Sequence, residues 1–144
     1  MVVSGRVVFD PFGRTIRQFY PVTEALGLPG TFNTAFDGVQ PTRTTFDVLD
    51  RITSVVIPDN TTTTTAYDFA PDRAGRTQFR TTVIDGLGVR KEMFRDVRAL
   101  ITTVSEFNNG GAQVLRTSYA YDPLKQITTV TDNNSNLTRV EYEP

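Results

Sequence analysis

The sequence predicts an all-β chain of consecutive antiparallel hairpins, and three observations carry that expectation. The first is composition: 23 Thr, 16 Val, 10 Phe and 5 Tyr stand against 8 Ala and 2 Lys. Such β-branched and aromatic side chains are stiff at χ1 or bulky, pack well on a pleated surface and disfavour long helices. The second is a period of two, with Leu115, Thr117, Tyr119 and Tyr121 on one face of a strand and Val114, Arg116, Ser118 and Ala120 on the other. No window of comparable length keeps a 3.6-residue period. The third is turn chemistry placed where hairpins need it, at Asn108-Asn109-Gly110-Gly111 and at Asp132-Asn133-Asn134-Ser135-Asn136.

In chain order, Phe9-Asp10-Pro11-Phe12-Gly13-Arg14-Thr15-Ile16 reads as a strand end, a tight turn and a strand start. An irregular excursion follows at about residues 21–41, because Pro21, Gly27, Pro29, Gly30, Gly38 and Pro41 all interrupt regular pairing, with one short strand expected at Thr31–Phe36. Phe46-Asp47-Val48-Leu49-Asp50-Arg51-Ile52-Thr53 repeats the first pattern. Thr61 to Thr65 reads as a solvated strand after Pro58-Asp59-Asn60, and Tyr67-Asp68 as a partial start of a further copy. Ile84-Asp85-Gly86-Leu87-Gly88 is a degenerate copy and Tyr121-Asp122-Pro123-Leu124-Lys125-Gln126-Ile127-Thr128 a fuller one. Strands are expected at Leu100–Phe107, Ala112–Tyr121, Gln126–Thr131 and Leu137–Tyr142, and Tyr142-Glu143-Pro144 begins another copy. Positions 9, 46 and 67 are spaced by 37 and 21, as are 84, 121 and 142, which predicts a superrepeat with an offset of 75. In each copy the aromatic ends a strand, the Asp accepts backbone N–H groups in the turn it opens, Gly or Asp takes the tight position, and the next strand starts at Arg.

With 144 residues and 16.1 kDa the chain is the size of one domain. Fifteen Lys and Arg against 16 Asp and Glu give a formal charge of -1, so no field of one sign steers the whole chain onto nucleic acid. The absence of Cys and His excludes disulfides, Cys/His zinc sites, thiol nucleophiles and imidazole-dependent catalysis. The longest apolar runs, such as Val7-Val8-Phe9 and Val55-Val56-Ile57, are three residues long, far below the roughly 20 of a membrane-spanning helix.

Asp10, Asp47, Asp68, Asp85 and Asp122 are the candidate carboxylates for acid–base work, but recurrence once per hairpin assigns them to turn formation. No enzyme and no cofactor is expected. Asp132, Asn134, Asn136 and Glu143 match several positions of a calcium loop, yet Leu137 stands where the sharp bend needs Gly, so a polar hairpin turn is expected there. Gly86-Leu87-Gly88 and Gly27-Leu28-Pro29-Gly30 lack the further Gly or Lys of a phosphate cradle. Asn60-Thr61-Thr62, Asn133-Asn134-Ser135 and Asn136-Leu137-Thr138 read as glycosylation acceptors only in a secretory eukaryotic setting.

The pattern Tyr/Phe-Asp-x-x-Gly/Asp-Arg-aliphatic-Thr resembles the YD repeat of bacterial Rhs proteins, of the B and C components of insecticidal toxin complexes, and of the teneurin shell. The stretches 9–22 (FDPFGRTIRQFYPV), 46–59 (FDVLDRITSVVIPD) and 119–132 (YAYDPLKQITTVTD) are most similar to the toxin-complex and virulence-plasmid branch. Phe replaces Tyr at 9 and 46, Asp50 and Lys125 replace Gly, and the copy at 84 has no aromatic. The resemblance implies that residues 1–144 form a segment of a larger spiralling shell of hairpins in a secreted or cell-surface bacterial protein. Its partners would be the remaining repeats and an encapsulated C-terminal toxin segment; the Asp10-Pro11-Phe12-Gly13 stretch superficially resembles the family's self-cleavage motif but sits in repeat register with more repeats after it, so a turn and not a cleavage site is expected there. The motif residues it singles out are Phe9, Asp10, Gly13, Arg14, Phe46, Asp47, Arg51, Tyr67, Asp68, Asp85, Tyr121, Asp122 and Tyr142, with the aromatics stacked along the wall and Asp and Arg paired between neighbouring turns. The alternative reading is a carbohydrate- or cell-surface-binding module that uses exposed Tyr, Thr and Asn on one extended face.

Overall fold

The computed structural model describes residues 2–3, 5–23 and 40–142. They form thirteen strands and, among the described residues, no helix: β1 (Val2–Val3), β2 (Val7–Phe9), β3 (Thr15–Gln18), β4 (Val22–Thr23), β5 (Thr42–Phe46), β6 (Ile52–Val56), β7 (Thr62–Pro71), β8 (Thr77–Ile84), β9 (Arg90–Arg95), β10 (Ile101–Phe107), β11 (Gln113–Tyr121), β12 (Ile127–Thr131) and β13 (Leu137–Arg139). The protein is all-β, an antiparallel meander with hydrogen-bonding order β2-β3-β5-β6-β7-β8-β9-β10-β11-β12-β13, beside a two-stranded β1-β4 pair. The chain divides into two compact units, Met1–Thr64 and Thr65–Pro144, with the boundary inside β7. The strand expected at Thr31–Phe36 lies outside the described residues.

The same five-residue turn recurs nine times among the described residues, opening at 10, 47, 57, 72, 85, 96, 108, 122 and 132. In each, the N–H of the first residue donates to the carbonyl of the fifth and the N–H of the fourth donates back to the carbonyl of the first, as for Asp10 with Arg14 and Gly13 at 3.0 Å each. The fourth position always has positive φ: Gly13, Gly75, Gly88 and Gly111 adopt it freely, and Asp50, Asn60, Ala99, Lys125 and Ser135 are held there at φ 61–68°. This three-residue hairpin loop matches the right-handed twist of the strands that it joins. Register shifts beside the turns, at Val8/Phe9, Thr45/Phe46 and Ala120/Tyr121, add a bulge on the returning strand.

The structure corrects two expectations, the first through the φ requirement. A turn opening at Asp68 would put Pro71 at its fourth position, and the proline ring fixes φ near -65°. Tyr67 and Asp68 therefore run on inside β7, and the turn opens four residues later at Asp72-Arg73-Ala74-Gly75-Arg76. The 75-residue superrepeat is also not architectural: from Phe9 to Phe46 the main sheet adds β3 and β5, whereas from Ile84 to Tyr121 it adds β9, β10 and β11. Tyr142 follows β13 in irregular chain and is half-exposed.

Few apolar side chains are buried. Among the described residues Phe19 and Phe94 form the buried hydrophobic set, while Asp72, Glu92, Thr102, Thr103 and Ser105 are buried polar groups. The ladder and its turns, more than a packed apolar layer, hold such a sheet together.

Relieving the left-handed backbone at Ala99→Gly or Lys125→Gly is expected to raise stability by about 1 kcal/mol each. Gly13→Ala should lower it by a similar amount through φ alone, since a Cβ there meets open space. Urea unfolding midpoints at unchanged m-value check all three.

Candidate functional site

The turn aspartates have well-defined work. One carboxylate oxygen of Asp10 accepts the N–H of Phe12 at 2.9 Å and of Arg14 at 3.0 Å, and Asp47, Asp72, Asp85, Asp96 and Asp132 accept from the third and fifth turn residues in the same way. Asp122 accepts from Gln126 at 2.8 Å and Asn108 from Ala112 at 2.9 Å. Where Arg occupies the fifth position it closes on the second oxygen, as Arg14 does on Asp10 and Arg51 on Asp47. Burial opposes ionisation of Asp10, Asp47 and Asp72, but the backbone N–H donors and the arginine outweigh it and hold each carboxyl below its ordinary pKa. For Asp132, the Asn136 side chain and backbone lead the same shift. The lowered pKa favours the charged, accepting form that the turn bonds require, and the oxygens of Asp132 are spent on Asn134 and Asn136.

Neighbouring turns are tied together by arginine. Arg14 donates to the Asp47 carbonyl at 3.0 Å and to the Asp50 carboxylate at 2.7 Å, with its guanidinium 5.0 Å from the centre of the Phe46 ring. Arg98 donates to the Asp122 carbonyl at 3.0 Å. Gly88 packs so close to Asn109 that a Cβ would lie 3.1 Å from that residue's own Cβ. The expected stack of motif aromatics is absent among the described ring pairs, which are Tyr67–Phe79 and Phe69–Phe79. Phe9 and Phe46 sit on alternate strands of the order β2-β3-β5, about 9–10 Å apart and beyond stacking range. Phe9 is mostly exposed, Phe46 lies under Arg14, and the Tyr121 hydroxyl donates to the Ile101 carbonyl at 2.8 Å. Burial, with smaller charge effects, raises the Tyr121 pKa.

The candidate site is one face of the second unit, where buried polar residues gather. Register places Thr82, Glu92, Ser105 and Arg116 in one row across β8 to β11, and Arg80, Phe94, Thr103, Ser118 and Thr131 in the next row, which reaches β12. The turn at 72–76 folds over this face and is pinned by Arg73, which donates to the Asp132 carbonyl at 2.6 Å and to Ser135 Oγ at 2.8 Å. Two adjoining cavities of about 300 and 250 Å³ result, sharing Asp72, Arg73 and Thr103 in their walls. Asp68 makes a two-pronged bond to Arg80 (2.9 and 2.6 Å), Asp72 pairs with Arg76 (2.9 Å), and Glu92 lies 3.5 Å from both Arg80 and Arg90. The Arg80 guanidinium holds Asp68 below its ordinary pKa. Such a face is suited to polar, charged ligands or to polar chain packed against it.

No protein-family model matches this chain, and no curated protein is significantly similar to it. Of the motif residues expected from sequence, Asp10, Gly13, Arg14, Asp47, Arg51, Asp85 and Asp122 lie in turns of the predicted kind. The sequence reading missed Asp72-Arg73-Ala74-Gly75-Arg76, although it repeats the Asp-x-x-Gly-Arg spacing of residues 10–14, and it missed the turns at 57 and 96. The polar face, in contrast, has no local sequence signature.

Asp72→Ala is expected to cost about 2 kcal/mol, since it removes a buried carboxylate with its two part-buried backbone bonds and its pairing with Arg76, against about 1 kcal/mol for the exposed Asp85→Ala. Chemical denaturation of the two variants checks the ranking. Because Asp10, Asp47, Asp72, Asp96 and Asp132 are more acidic folded than unfolded, the unfolded chain takes up protons first as pH falls. The stability they contribute is present above about pH 4 and is lost progressively below it, which a pH series of thermal midpoints measures.

Proposed function

We propose that this chain is a wall segment of a YD/Rhs-type hairpin shell, whose work is to enclose a toxic C-terminal segment of its parent protein. The observation that carries this reading is the recurrence of one five-residue turn, nine times among the described residues and eight of them opening on Asp or Asn, which makes the main sheet a meander in which each strand pairs with its neighbours along the chain. Such a wall extends by adding hairpins and needs no central core, in keeping with how few apolar side chains are buried among the described residues. Arginines that link successive turns supply lateral cohesion along the sheet end. Catalysis has no part in this reading, and a secreted or cell-surface destination follows from the resemblance alone.

The competing reading, a carbohydrate-binding module, predicts saturable glycan binding and an exposed aromatic platform. For the wall, a glycan array probed with this chain should give no saturable signal. Tyr121→Ala should lower stability by about 2–3 kcal/mol, through loss of the half-buried ring and its bond to Ile101. Saturable binding abolished by Tyr121→Ala at an unchanged thermal midpoint would overturn the wall in favour of the module.

A further inference from the structure

We propose that the smaller cavity on the polar face of the second unit is an oxyanion-binding site, with Arg116 as its principal ligand and Ser105 as its second donor. Its lining sets Arg73, Arg80 and Arg116 against Asp72 and Glu92, with Phe94, Thr103 and Ser105 also in its wall. The charges around this face do not cancel: Arg73, Arg76, Arg80, Arg90 and Arg116 stand against Asp68, Asp72 and Glu92. The three carboxylates are taken, Asp68 by Arg80, Asp72 by Arg76, and Glu92 by Arg80 and Arg90. Arg73 is spent on the turn at 132–136. Arg116 remains. Its guanidinium makes no hydrogen bond or ion pair with any described residue, and its Nε–H is buried without an acceptor.

A buried donor on a permanent cation is costly to leave unmet, and the natural complement to its planar fork is a carboxylate or phosphate group. Ser105 stands directly opposite Arg116 across β10 and β11, is 2 % exposed, and its hydroxyl has no partner among the described residues. Arg116 and Ser105 therefore line one cavity, and neither guanidinium nor hydroxyl has a hydrogen-bond partner among the described residues. A volume of about 250 Å³ leaves space beyond the anion for the group that carries it. The site is built by strands of the second unit alone, so it stands or falls separately from the wall reading.

The test is NMR titration of the arginine Nε–H resonances of this chain with inorganic phosphate and, separately, with acetate, at constant ionic strength held with sodium chloride. The expected result is a saturable shift of the Arg116 resonance with a Kd on the order of 1 mM or tighter for at least one of the two anions. Preference for phosphate assigns a phosphorylated ligand, and preference for acetate a carboxylate. R116Q should weaken binding at least tenfold with the far-UV circular dichroism spectrum retained, S105A should weaken it severalfold, and R139Q, on the exposed strand β13, should leave it unchanged. Should R116Q fail to fold, S105A with R116K carries the test, each expected to lower affinity in a folded chain. Non-saturating shifts with both anions, or affinity equal to wild type in R116Q or in S105A and R116K, overturn the site.

Discussion

Six of the nine reversals among the described residues depend on one carboxylate oxygen accepting two backbone N–H groups within a five-residue turn. Asp10, Asp47, Asp72, Asp85, Asp96 and Asp132 each bond the third and fifth residues of their turns, and that pair of bonds sets the chain in the bend from which the next strand leaves. A sheet with so little buried apolar area has no deep core to dictate where strands reverse. Reversal is specified locally, turn by turn, and register follows from the turn.

The second constraint is lateral. Hairpins joined only by their ladders would leave the turns free to splay, and arginine prevents this by reaching from one turn to the carbonyl of the next, as Arg14 and Arg98 do. Arginine suits the task because its planar fork spans a carboxylate and a carbonyl together: Arg14 engages Asp10, Asp50 and the Asp47 carbonyl at once. Arg73 uses the same chemistry over a longer reach, bringing the turn at 72–76 onto the turn at 132–136 and enclosing the polar face. That closure explains why Glu92, Thr103 and Ser105 are buried although the strands carrying them are rich in polar residues.

The hairpin character, the strands around 100–131 and the turns at 108–111 and 132–136 were legible from Thr and Val content, the period of two, and Asn, Asp and Gly placement. Those signals are local, and local propensity and turn chemistry act without tertiary help. Four copies of the repeat were legible in place, at Asp10, Asp47, Asp85 and Asp122, whereas the partial copy at Tyr67-Asp68 has the aromatic and the Asp but forms no turn. The physical requirement lies three residues after the Asp, where Gly75 meets the positive φ and Pro71 cannot.

By itself the sequence determined the class of fold, the reversal points where an Asx residue precedes a left-handed position, and the structural duty of the repeated aspartates, since each is settled within five residues. Only the tertiary structure decided which face of β8 to β12 is enclosed, which arginines find carboxylates, and that Arg116 finds none among the described residues. Those outcomes rest on cross-strand register and on the contact of turn 72–76 with turn 132–136, between residues 59 apart in the chain, and no local pattern encodes such a meeting.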